Sequence, residues 1–405
     1  MASQPVVAAT ARDLQPDEAS RLFTPAFVAL SLAELAYFTA GGLTIPITPL
    51  FAYGPLAASP VGVGVAVGAF SVTALVLRPY AGRLSDRIGR RPLLVGGALA
   101  FAGVLAAHAL VEQLAVLVAL RLLLGMAEAF FFVAGFAAVA DLAPEGRTGE
   151  ALSFNSLSLY LGIAVGPLVG QFLLEWGGFA LAWAGGAGLG VVAAVLASRI
   201  PETVRSTGAE APPTPLINRA ALAPSLILFT AIAGMGGFFA FLAIYATSNL
   251  RLDGAGTVLL LFGLIVVTTR VAFAKLPDRV PPFRLATFAL GLCASGLLVA
   301  GVVGSAIGLY VGAAILAVGV AFTTPAMFAA IFSRVGPSER GSASGTASLF
   351  IDLGFGGGPM LLGVISGAAG IPAAFVVAAV LASLGAAGAA WLGFRRRSAA
   401  IVGVA

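Results

Sequence analysis

Four ionisable residues stand in stretches that are otherwise almost wholly apolar: Glu34, Arg121, Glu128 and Asp352. A charge surrounded by hydrocarbon is costly and persists mainly where it pairs, meets water or exchanges a proton. Glu34 is therefore the leading candidate for proton exchange and for sensing a cation, with Glu128 second. Glu128 follows Arg121 by seven residues, so both share one face of a helix with backbones ~10 Å apart. That separation suits a relay or a shared cavity more than a direct ion pair. The competing reading neutralises each acid within a packed hydrogen-bond network and lets Arg121 snorkel to an interface. Asp352, between Ser348 and Gly354, matches no motif and is carried as a further candidate for proton exchange or ligand contact.

Rings surround these acids. Tyr37 and Phe38 share the face of Glu34, Met126 and Phe131 flank Glu128, and Asn155 and Tyr160 add polar candidates. Phe238, Phe241 and Tyr245 form a later cluster. Aromatic walls with few charges suit hydrophobic or cationic molecules, through stacking and cation–π attraction. Core packing and lipid contact compete as explanations for most of these rings. Enzyme chemistry finds no footing: Cys293 is the sole cysteine and His108 the sole histidine. Neither a metal-ligand set nor a nucleophile with its base emerges, so no catalytic and no metal residues are assigned.

The elements that must position these groups follow from composition. Of 405 residues, 60% are hydrophobic and 10% charged, too few polar groups to cover a water-soluble surface. A span needs about 20 mostly apolar residues. Twelve are read, at 24–50, 59–80, 92–111, 114–140, 150–174, 179–199, 221–248, 255–273, 285–303, 306–332, 342–366 and 372–394. Helices satisfy their own backbone groups in lipid, so an all-α polytopic membrane protein is expected. All but Arg121 and Arg251 of the 22 lysines and arginines flank the spans on one side. The positive-inside rule makes that side cytoplasmic, with both termini there and the protein in the inner (plasma) membrane. Scattered cations form no nucleic-acid stripe.

The mixed-charge segment 1–22 reads as a cytoplasmic tail without a cleaved signal peptide. The proline-rich segment 201–220 reads as a cytoplasmic linker, because Pro212, Pro213 and Pro215 break any helix. It separates a six-span bundle at 23–200 from another at 221–394, leaving 395–405 as a second tail. The halves repeat. Arg78, Leu84, Asp86 and Arg87 recur 192 positions later as Arg270, Leu276, Asp278 and Arg279.

The run Gly82-Arg83-Leu84-Ser85-Asp86-Arg87-Ile88-Gly89-Arg90-Arg91 after the second span resembles the cytoplasmic signature of the major facilitator superfamily. Arg121-x-x-x-Gly125 is similar to a second motif of that family. Gly162-x-x-x-Gly166-Pro167-x-x-Gly170 resembles the pattern of its antiporters, except that Gln171 stands where a glycine is usual. The resemblance implies the major facilitator fold, with two pseudo-symmetric six-helix bundles and twelve transmembrane helices. It further implies that Gly82, Asp86, Arg87, Gly89 and Arg90 latch the cytoplasmic side, with Asp86 meeting the start of span 11 near Gly341 and Ser342. It implies a monomer in the lipid bilayer that exchanges protons for a small-molecule substrate, powered by the proton gradient without a cofactor. The branch it resembles exports drugs in exchange for protons. Exporters or flippases of sugars, metabolites or lysolipids, and proton symporters, share the fold and remain alternatives.

Overall fold

Every described residue of regular structure is helical in the computed structural model, which describes residues 22–144, 147–203, 217–273, 276–335 and 340–402. Most of the expected N-terminal tail and much of the linker lie outside the described residues. Nine helices among these residues are long and apolar enough to cross a membrane. Two of them are double-length and a further apolar helix is shorter, which gives twelve spanning stretches.

We label them α1 (Pro25–Tyr53), α2 (Pro60–Ile88), α3 (Arg90–Ala107) and α4 (Leu114–Leu142). The helix Thr148–Ala197 breaks at Gly177 and Gly178 into α5 (148–176) and α6 (179–197). Then follow α7 (Arg219–Ile244), α8 (Gly256–Ala272), α9 (Pro282–Val302) and α10 (Ala306–Phe332). The helix Arg340–Val402 breaks at Gly370 into α11 (340–369) and α12 (371–402). Gly178 has φ of 69° and Gly370 has 83°, a region open to glycine and costly for other residues. These two breaks are also 192 positions apart, so the repeat read from charged residues extends to the backbone.

Helix starts are set by capping. Thr24 and Ser59 accept hydrogen bonds from Phe27 and Gly62 N–H, each with proline in the first turn, and Ser305 does the same for Gly308. Packing is set by small residues, because lipid is as apolar as any side chain and close approach supplies the attraction. A methyl on Gly166 would lie 2.5 Å from the Thr39 carbonyl, which is how near α5 lies to α1. In the second half, a Cβ on Gly358 would lie 2.2 Å from the Ala233 carbonyl, bringing α11 equally close to α7. The two bundles meet along α2–α11, where Gly64 abuts the Pro359 carbonyl, and along α5–α8, where Gly263 abuts Ala164.

Of the signature run, Gly82 to Ile88 continue α2 as helix and only Gly89, with φ of 108°, turns the chain. The helix runs past the span end expected at 80, as a basic helix end can project beyond hydrocarbon without unwinding.

Candidate functional site

Arg78 is the centre of the site. It sits in α2, half-buried, near the end of the span expected at 59–80. Its Nη2 donates to Glu128 Oε1 of α4 at 3.3 Å and lies 3.0 Å from Asp352 Oδ1 of α11. Its guanidinium also stacks 4.5 Å from the Phe132 ring centroid. Glu128 belongs to the first bundle and Asp352 to the second, so the cluster bridges the seam between them.

Both carboxylates are sequestered, at 8% and 5% exposure. Each uses one oxygen on Arg78 and keeps a second, Glu128 Oε2 or Asp352 Oδ2, buried without a hydrogen-bond partner. Two ionised acids and one guanidinium carry a net charge of minus one. An uncompensated charge in this setting costs several kcal/mol, and a proton or a cation removes that cost. Phe38 and Phe136 extend the aromatic wall from Phe132, with ring centroids 6.2 Å and 4.6 Å away.

The repeat supplies a second arginine in the equivalent place. Arg270 of α8 lies 192 positions after Arg78, and Tyr160 of α5 lies 192 before Asp352. Arg270 stacks 4.1 Å from the Tyr160 ring centroid, across the other seam.

The remaining candidates are placed inside the bundles. Glu34 is 2% exposed and accepts a hydrogen bond from Asn155 Nδ2, joining α1 to α5. Its niche exists because position 135 is glycine: a Cβ there would lie 2.5 Å from Glu34 Oε1. Tyr37 stacks on Phe131 at 3.8 Å and meets Phe101 of α3, an interior packing arrangement instead of a cavity wall. Phe238 and Tyr245 both pack against Phe375 of α12 in the second bundle. Phe241 lines a cavity of about 200 Å³ with Tyr53, Pro60 and Ser366. Arg121 donates from Nε to the Ala66 carbonyl at 3.3 Å and covers the Phe70 ring, so it ties α4 to α2. Gly125, one turn on, makes that contact possible, since its Cβ would collide with the Phe70 carbonyl. Met126 is half-buried on the same helix.

The signature residues form a network within the first bundle. Arg90 pairs with Asp86 and, at 3.3 Å, with Asp141 of α4, and its Nη1 donates to Ser85 Oγ at 2.9 Å. Glu202 accepts from the backbone N–H of Arg90 at 2.8 Å and of Arg91 at 3.2 Å. The Asp86 carboxylate, expected near Gly341 and Ser342, is given to Arg90 and its side chain is 69% exposed. Gly162, Gly166 and Gly170 face α1, where Phe38, Thr39, Leu43 and Ile47 fill the space that side chains would need on the three glycines, and Pro167 lies buried within α5.

The departure at Gln171 has a structural role. At the end of the molecule away from the Gly89 turn, its Oε1 accepts the Gly256 N–H at 2.6 Å and caps α8 across the seam. Its Nε2 donates to Glu175 at 2.8 Å. Replacing Gln171 by leucine is expected to loosen this end. In a protein carrying Cys293→Ser and Ser366→Cys, modification by an impermeant maleimide should quicken by roughly fivefold, the equivalent of one lost hydrogen bond. Unchanged labelling would assign Gln171 to local packing alone.

Two glycine-packed six-helix bundles joined through a buried ionic cluster define a polytopic membrane protein of the transporter class. The chain belongs to the Major Facilitator Superfamily, whose family model matches residues 30–356. It is 29% identical over 368 residues to an uncharacterized MFS-type transporter of Salmonella typhimurium, covering 88% of this chain and 94% of that one. A bacterial homolog of the human lysosomal transporter Spinster, solved in an inward-facing and occupied conformation, superposes with a TM-score of 0.77 at 15% identity, covering 91% and 96% of the two chains. The human organic anion transporter MFSD10 superposes at 0.69 with 19% identity, covering 93% and 100%. These solved structures share the fold. Members of the superfamily carry small-molecule substrates and need no cofactor, and the chain is a transporter, not an enzyme.

Proposed function

We propose that the protein is a proton-coupled antiporter that exports small, largely hydrophobic compounds by alternating access, in the manner of the drug-exporting branch. The observation that carries this reading is the Arg78, Glu128 and Asp352 cluster, with one unneutralised charge and two unpartnered buried carboxylate oxygens at the seam. A proton and a cationic cargo compete for that single charge, and competition for one site is what antiport requires. Protonation weakens the pull of Asp352 on Arg78, which frees the bundles to rock. Glu34, held by Asn155, acts as a second proton acceptor in the α1–α5 seam. The protein works as a monomer in the inner membrane with both termini cytoplasmic, bundles at 23–200 and 221–394, and the Asp86 to Arg90 network as the cytoplasmic latch.

Purified protein in liposomes, with an interior pH dye and ethidium as probe, tests the coupling. Ethidium movement is expected to drive proton movement the other way, and Glu128→Gln should remove at least about 90% of that coupled flux, as loss of a positioned proton carrier does. Ethidium movement without proton exchange would overturn the antiport reading. Proton and dye entering together would favour symport.

A further inference from the structure

Arg78 has two carboxylates, whereas its repeat partner Arg270 has none among the described side chains. Among the carboxylates whose side chains the structure describes, none lies within 4.0 Å of the Arg270 side chain, which is covered by the Tyr160 ring instead. Its Nε is buried with no hydrogen-bond partner. The residue that replaces the carboxylate is identifiable: Tyr160 occupies the place that Asp352 holds in the other copy, 192 positions later. Arg270 as a whole is half-buried, and a guanidinium within a membrane span persists when something neutralises it, recognising carboxylates and phosphates through its fork of donors. Conversion of the acid to tyrosine leaves a guanidinium with no counter-charge among the described side chains, next to an aromatic platform.

We propose that Arg270, backed by Tyr160, receives an anionic group of the transported molecule. The cargo is then a hydrophobic zwitterion whose cationic end meets the Glu128 and Asp352 acids while its anionic end meets Arg270. The inference deepens the transport reading by naming a substrate class. It rests on the seam being the cargo route but not on proton coupling, so a binding measurement without any gradient separates the two.

The full chain in nanodiscs of zwitterionic lipid is titrated with 1-naphthoate, its neutral amide and the corresponding naphthylmethylammonium cation. Naphthoate is expected to bind at least about tenfold more tightly than the amide, the scale of a charge-assisted hydrogen bond. Arg270→Gln should abolish that preference, Arg270→Lys should retain part of it, and Tyr160→Phe should keep the ring and the preference. Equal affinity for acid and amide, a preference for the cation alone, or a preference that survives Arg270→Gln would each overturn the proposal. Should a variant fail to fold, the acid, amide and amine comparison on the unaltered protein decides. Repeating the titration in nanodiscs with phosphatidylglycerol separates a lipid phosphate from a free anion. Unchanged naphthoate binding supports an anionic group on the cargo, and complete displacement assigns Arg270 to lipid and overturns the cargo assignment.

Discussion

Replacing Arg78 by alanine is expected to bring transport to background and to destabilise the protein by on the order of 3 kcal/mol, the cost of stranding a buried charge partner. Two carboxylates would face each other across the seam with no cation between them, and the Phe132 ring would lose its stacked guanidinium. The melting temperature in lipid nanodiscs should fall by roughly 5 °C or more. Asp352→Asn added to Arg78→Ala removes one stranded charge and should restore a large part of the stability, though not transport. That asymmetry tells a charge cluster from ordinary packing, because a packing loss would not be repaired by an isosteric change on another helix. A double variant no more stable than Arg78→Ala alone would refute the ionic account.

The second large effect concerns the glycine seams. Gly166→Val and Gly358→Val should each abolish a folded, monodisperse species, since even a methyl would come within 2.5 Å and 2.2 Å of the Thr39 and Ala233 carbonyls. Overpacking of this kind costs ~1–3 kcal/mol where side chains can yield, and more where the obstacle is backbone. The control is close by: Gly41 has no atom within 4 Å of where its Cβ would be, while its neighbour Gly42 would place one 2.6 Å from the Gly162 carbonyl. Gly41→Ala should therefore melt with the unaltered protein and Gly42→Ala well below it, as read by size-exclusion yield and thermal unfolding. Equal melting of the two would break the link between helix approach and the glycine motif.

The two copies of that motif show how unevenly the sequence speaks. Gly162, Gly166 and Pro167 stand out on α5 and match a family pattern, whereas Gly354, Gly358 and Pro359 occupy the equivalent places on α11 amid further glycines at 356 and 357. The glycine pair in each triplet packs a helix of one bundle onto its first helix, α1 or α7. The offset of 192 carried this information all along, but glycine-rich surroundings mask a spacing that only contact makes specific. Arg78 and Arg270 were misassigned for a related reason. Hydropathy averages over a span and treats an arginine near its end as flanking charge, yet the helix continues and turns each guanidinium to the seam.

Among the acids, Glu128 and Asp352 meet at the seam while Glu34 is enclosed between α1 and α5. Helical spacing puts Tyr37 and Phe38 near Glu34, but the structure separates them, with Tyr37 against Phe131 and Phe38 towards Phe132. One turn of helix covers a wide arc, so a shared face in sequence divides between two neighbours once helices pack.

By itself the sequence determined that this chain is a twelve-span membrane protein with an internal repeat. Apolar run length answers to bilayer thickness, and both repeats had to solve the same burial problem. Which charges meet was decided by tertiary structure alone: Arg78 joins Glu128 and Asp352, and Arg270 is left with Tyr160. The physical reason is that periodicity fixes the side of a helix a residue occupies, while its partner depends on which other helix lies against that side, a choice made here by glycines on helices far apart in the chain.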